Sequence, residues 1–249
     1  MSWTAFVERK KETDLAILPT GAIEGYGPHL PLGSDTLVAV KVAERVARRV
    51  GGIIGPVLEA GDSSMLDEFP GTIAIRPETF KAYVQDTVDS LAKWGFKKFL
   101  FVNAHAGNVP MINQIAYGLR NGGELKFAQI DFWRFVKTVD EGVLESGAAA
   151  HSHAGEAGTS VLLALRPELV DEAKRMNVVR KTRDEFPEIM KYARLSDNSE
   201  WGTIGDSTLA TAAKGEALVG RSVDRIVKFL TENWGIPDRR EEDGTKLEV

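Results

Sequence analysis

The chain has no cysteine among its 249 residues. That excludes disulfides, Fe–S clusters, thiolate zinc sites and cysteine nucleophiles, and leaves His, Asp and Glu to hold any metal. Such a hard ligand set suits Zn, Mn or Fe. Long apolar runs are also missing. None approaches the ~20 residues of a membrane-spanning helix, and "MSWTAFVERKKETD" at the N-terminus has no signal-peptide apolar core. The expected address is the cytoplasm, with no membrane partner. Nor is there an excess of positive charge: the net charge is −5, and Lys and Arg sit on mixed-sign surfaces such as "KVAERVARRV". Phosphate binding wants a concentrated basic face, so nucleic acid is excluded as the main partner and a small-molecule substrate is expected. The nucleophile-elbow pattern G-x-S-x-G is absent too, which removes one common serine-hydrolase arrangement.

No linker or repeat divides the sequence, and 43% hydrophobic content suits one sizeable core. A single domain over 1–236 is expected, followed by a polar, frayed tail over 237–249. Apolar runs alternate with helical patterns, the signature of an α/β protein: a layered αβα architecture whose mostly parallel sheet is flanked by helices. "DLAILPTG" (14–21) reads as a buried strand and "GGIIGPVLEAG" as the next. "KKFLFVNAHAGN" carries the clearest strand, 99–103, and "LKFAQIDFWRF" another. Helices are expected over 35–50, 76–95, from "VPMINQIAYGLRNGG", over "EAGTSVLLALRPELV" until Pro167 stops it, and over 215–235. The stretch 174–215 is irregular and charged, with room for one helix.

Ligands of open parallel sheets bind beyond the carboxyl ends of the strands, and the least core-like residues fall there. Glu24, His29 and Asp35 follow the first strand. Asn103, His105 and Asn108 follow the strand 99–103. His151, His153 and Glu156 lie in "AHSHAGEAGTS". All four histidines of the chain occupy these three loops. Acids and imidazoles gathered in this way point to a metal or acid–base site. Bound divalent cations lower the pKa of water to roughly 7 and polarise a carbonyl, so hydrolysis without a cysteine or a serine elbow is within reach. Asp35 could alternatively serve only as the N-cap of the following helix. "EFPGT" reads as a turn that presents the backbone of Gly71 and Thr72 to substrate. Asn103 and Asn108 are placed to brace the His105 loop, and Asn108 is also counted among the substrate contacts. Trp201 is a candidate wall of the pocket and His151 a rim residue.

The blocks "PTGAIEGYGPHLPLGSD", "EFPGTIAI", "FVNAHAGN", "HAGEAGTS" and "GDSTLATAAKGE" occur in the order and at the spacing of the creatininase (creatinine amidohydrolase) family, which the chain resembles over about residues 14–220. The resemblance implies a layered α/β hydrolase, a homo-oligomer and often a hexamer, with two divalent cations per subunit, Zn, Mn or Fe. It implies that Glu24 is a ligand of one ion, that Asp35 bridges both and that His105 is a further ligand of the first. Glu156 matches the carboxylate that completes the second site in members with Gly at the position of Gly107, and it is counted with His153 among the catalytic residues. His153 matches the acid–base histidine, and Ser63 matches a polar substrate contact. Two positions depart from the pattern. Tyr26 stands where a histidine normally binds the second ion, so that His29 or water would replace it, or the second site is weak; Tyr26 is then free to meet substrate. Gly158 replaces an acid.

The expected activity is metal-dependent cleavage of a C–N bond, an amide or cyclic amide of a small polar molecule. The rivals are opening of a cyclic keto-sugar ring at a C–C bond and a metal-free binding protein on the same scaffold.

Overall fold

A computed structural model describes residues 1–120, 123–181, 185–186, 188–189 and 192–240. Its centre is a four-stranded parallel sheet of order β2-β1-β3-β4, built from β1 (Leu15–Thr20), β2 (Ile53–Ile54), β3 (Lys98–Asn103) and β4 (Lys126–Asp131). The run of apolar residues in β1 and β3 suits a strand buried on both faces. Side chains alternate between the two faces, and each face has its own core. Leu15, Ile17, Leu100 and Val102 pack against α2 (Ser34–Val50), α6 (Glu156–Leu165) and α7 (Ala212–Trp234). Ala16, Leu18, Phe99 and Phe101 pack against α3 (Pro77–Lys93) and α4 (Val109–Arg120). The short helices α1 (Trp3–Lys10) and α5 (Phe132–Phe135) complete the set.

The register aligns Thr20 with Asn103 and Asn103 with Asp131, so three strands end at one level. Thr20 donates its hydroxyl to Asn103 Oδ1 at 2.9 Å, and Asn103 Nδ2 donates to the His105 carbonyl at 2.7 Å. These bonds fix the edge from which the polar loops leave.

Four expectations change. The segment expected as the second strand forms only two ladder pairs, because Gly51, Gly52, Gly55 and Pro56 interrupt it; it keeps company with β1 through single bonds such as Leu58 N–H to Pro19 O, 3.0 Å. Among the described residues of 174–211 no α-helix forms. Short 3-10 turns and the two-residue antiparallel pair β5 (Asn177–Val178) and β6 (Gly205–Asp206) replace it. The last helix starts three residues early, at Ala212, capped by the Thr211 hydroxyl; Gly215 lies inside it, where an added Cβ would meet the Ser160 carbonyl at 1.8 Å and push α6 and α7 apart. The tail does not fray at once. Asp238 pairs with the buried Arg49, and Arg239 N–H donates to Arg49 O at 2.8 Å; residues 241–249 lie outside the described part. No helix among the described residues is long and apolar enough to cross a membrane.

Candidate metal centre

Glu24, Asp35 and His105 converge where β1 and β3 end. One ligand atom from each lies within 4.8 Å of the others, and all three side chains are buried. Each arrives on a different support. Glu24 sits on the loop after β1, held by its own N–H to Leu32 O at 2.9 Å and by Ile73 N–H to Ile23 O at 2.8 Å. Asp35 lies in the first turn of α2, where the helix dipole favours a negative charge. It caps nothing, since Gly33 holds the cap position. His105 follows β3 directly.

The donor atoms are oriented by a further ring of hydrogen bonds. His105 Nε2 donates to the Asp62 carbonyl at 2.7 Å, which turns Nδ1 toward Asp35 Oδ2 at 3.1 Å and Glu24 Oε2 at 3.3 Å. Ser63 Oγ donates to Glu24 Oε2 at 2.7 Å, and Trp133 Nε1 donates to Asp35 Oδ1 at 3.0 Å. A ligating histidine characteristically spends its other ring nitrogen on a carbonyl in this way. Two buried carboxylates and an imidazole nitrogen aimed at one point fit a divalent cation, which would take the place of the Nδ1 proton. Gly107 makes the His105–Asp62 bond possible, because a Cβ there would stand 2.2 Å from that carbonyl oxygen and 2.5 Å from Nε2.

Electrostatics reflect the crowding. Burial alone would lower the His105 pKa, yet its bonds and attraction to Asp35 and Glu24 win and raise it well above the usual value. Burial raises Asp35, with the Glu24 charge adding to it. Burial pushes Glu24 the same way, but His105 outweighs it and the net direction is down. Tyr26, buried and facing both acids, is raised well above an ordinary phenol and stays protonated.

The cluster opens into a cavity of about 280 Å³ whose walls include Tyr26, Trp133, His151, His153 and Gly158, with the exposed Met65 at its mouth. The Tyr26 and His153 rings pack 4.4 Å apart between centroids, tilted by 59°. His153 Nε2 donates to Gly25 O at 2.9 Å, which leaves Nδ1 as its other ring nitrogen. The next residue, Ala154, has φ +52°, the one positive φ outside glycine among the described residues, and strain of this kind collects at functional sites. His151, expected at the rim, does line the cavity. Its Nε2 contacts Asp140 Oδ2 at 2.5 Å, and Nδ1 is buried without a partner.

Other expected site residues lie elsewhere. Glu156 is fully buried and does not line the cavity. Its carboxylate takes the Lys214 ammonium at 2.6 Å, Ser146 N–H at 2.8 Å, Ser146 Oγ at 2.6 Å and Glu145 N–H at 3.0 Å. Against the cost of burial, Lys214 and Ser146 hold its pKa below the ordinary range. It ties α6 to α7 and to the 145–146 loop, in place of the expected metal and catalytic roles. His29 is buried with Nε2 on Thr159 Oγ1 at 2.8 Å, and is not a member of the metal cluster. Ser63 supports Glu24. Thr72 Oγ1 accepts the Gly25 N–H at 3.0 Å, Gly71 makes its turn at φ +90° against Leu32, and Asn108 Nδ2 bonds Gly21 O and Asn103 Oδ1. These residues brace the loops and none of them lines the cavity. Trp201 is exposed and also lies off the cavity. Sequence reasoning missed Trp133 as a wall and as the partner of Asp35. It stands two residues beyond the end of β4, and the strand-end rule that found His105 applies to it equally.

A family model described as creatininase, creatinine amidohydrolase, matches residues 1–230. A mycofactocin precursor peptide peptidase of Mycolicibacterium smegmatis is 31% identical over 235 residues, 89% of this chain and 88% of that protein. A creatinine amidohydrolase of Pseudomonas putida is 29% identical over 253 residues, 94% of this chain and 95% of that one. The solved structure "Creatininase Mn" superposes with a TM-score of 0.81 at 27% identity, covering 93% of this chain and 96% of the other. The layered α/β fold is therefore creatininase-like.

Proposed function

The chain belongs to the creatininase family, and from that premise we propose that it is a metal-dependent amidohydrolase that cleaves a C–N bond of a small polar substrate. The observation that carries this reading is the convergence of Glu24, Asp35 and His105 in the wall of a cavity. A divalent cation held by these three would supply an acidified water and a polarised carbonyl. Glu24 and Asp35 supply the negative charge that balances it, and Ser63 and Trp133 keep their oxygens in place. His153, fixed by Gly25 O, presents Nδ1 to the cavity. There it takes a proton from the attacking water and returns it to the departing nitrogen, a general acid–base role. Tyr26 and Trp133 form apolar walls that keep bulk water out.

The cavity is slightly below the ~300–1,000 Å³ common for small-molecule sites, which suits a compact amide or the end of a peptide and not a folded partner. The 31% identity to a peptide peptidase favours a peptide C–N bond as the second reading. We further propose a cytoplasmic homo-oligomer, a hexamer by the family resemblance, which light scattering of the purified protein tests.

The decisive experiment strips the protein with a chelator, adds back Mn or Zn, and screens creatinine, small lactams, short peptides and inosose. Hydrolysis of an amide that disappears on chelation and returns with metal supports the proposal. Metal-independent binding without turnover favours a binding protein, and turnover of the cyclic ketone alone favours C–C cleavage.

A further inference from the structure

Two cations sharing a site stand ~3.5–4 Å apart and need a bridging carboxylate plus donors for each. The donor atoms found here suffice for one. Among the described residues, Glu24, Asp35 and His105 are the only His/Asp/Glu group of three or more with ligand atoms in mutual reach. Asp35 spends Oδ1 on the Trp133 indole, which leaves Oδ2 facing the cluster. Position 107 offers no side chain and cannot gain one without breaking the His105–Asp62 contact. Glu156 is occupied by one ammonium and three further donors, and His29 is turned to Thr159. The two cavity histidines use Nε2 on Asp140 and on Gly25 O and keep Nδ1, but neither has a ligand atom within 4.8 Å of all those of the cluster.

Charge gives the same answer independently. Glu24 and Asp35 together balance one divalent ion. For a second, the Glu156 charge is already matched by Lys214 and that of Asp131 is shared with Arg134, so burying another dication would be costly.

We propose that this chain holds one divalent cation per subunit, on Glu24, Asp35 and His105, with Tyr26 occupying the wall where a second ion's ligand would stand. The inference rests on the metal-hydrolase reading and makes it narrower: a one-ion centre in a fold whose resemblance implies two.

The test uses the full chain, stripped and then dialysed against saturating Mn(II), with metal counted by elemental analysis and observed by electron paramagnetic resonance. The expected result is one equivalent with the six-line spectrum of an isolated Mn(II). Two equivalents with an exchange-coupled spectrum overturn the one-ion proposal and leave the hydrolase reading standing. No bound metal overturns both. Glu156→Gln and His29→Gln, checked for folding by circular dichroism, are expected to keep one equivalent with affinity within about twofold of the parent. A loss beyond about tenfold, the size expected when a ligand or its support is removed, in either folded variant would show that its side chain serves the ion and overturn the proposal. The stoichiometry of the unmodified chain decides the matter even where a variant does not fold.

Discussion

The Nε2 nitrogen of His105 lies 2.7 Å from the carbonyl oxygen of Asp62, and this bond sets which ring nitrogen faces the two buried acids. The contact exists because residue 107 is glycine. Gly107→Ala puts a methyl group 2.2 Å from that oxygen, so the loop must shift and the ring loses its orientation. We expect metal affinity to fall by about 10–100-fold, as for other outer-shell losses, with global stability changed far less. Competition titration against a chelating dye, beside a denaturation curve, separates the two effects.

His153 is held by Gly25 O, and its ring packs at a tilt against Tyr26. His153→Gln keeps a polar side chain of similar reach and removes the titrating group. The expected outcome is a drop in kcat of about 10²–10⁴-fold, with metal content equal to that of the parent. A variant that loses its metal together with its activity would move His153 from proton transfer to metal support.

Lys214 and Glu156 form a nearly dry ion pair. Lys214→Met leaves a buried carboxylate without its cation, for which a cost of about 3–5 kcal/mol is expected. Adding Glu156→Gln should recover part of that loss, since the charge goes with its partner. Urea denaturation of the parent, both single variants and the double variant checks this. Equal stability of Lys214→Met and the parent would disprove the pair's structural role.

His29 carries a pH dependence of known sign. Burial lowers its pKa from 6.5 to about 4, and the nearby positive charge of Arg175 pushes the same way. Between those values the unfolded chain takes up a proton that the folded chain refuses. This contribution to stability is complete above pH 6.5 and is lost as the pH falls toward 4, with a slope of up to about 1.4 kcal/mol per unit. His29→Gln removes this part of the slope. The difference between parent and variant, measured by denaturation at pH 7, 6, 5 and 4, should therefore grow toward acid in the variant's favour.

Much of the fold was legible because β1 and β3 are almost uninterrupted apolar runs and α3 has a proline start and a glycine end. The cluster was legible for a related reason. Glu24, Asp35 and His105 stand at strand ends, where parallel sheets place their ligands, and the quoted blocks supplied their pairing. Glu156 shows the limit. In sequence it is an acid beside two histidines, and what turns it away is a lysine 58 residues later. Charge pairing at that range has no local signature. The bonds of Ser63, Asn108 and Thr72 are similar: a polar side chain in a loop reads alike whether it meets substrate or the backbone behind it. The end of the chain is another case, since the packing of Asp238 depends on an arginine in α2.

The Glu156–Lys214 link has a consequence for how the site can vary. Glu24 and His105 hang from the ends of β1 and β3, and Asp35 from the first turn of α2. The segment carrying His151 and His153 is moored through Glu145, Ser146 and Glu156 to a helix near the C-terminus. Apart from the His153–Gly25 bond that joins them, the proposed cation ligands and the proposed proton-transfer histidine thus hang from different parts of the fold. Substitutions along the inner side of that helix reach the histidine segment before the acids, which gives this architecture a way to vary one part of the proposed site ahead of the other.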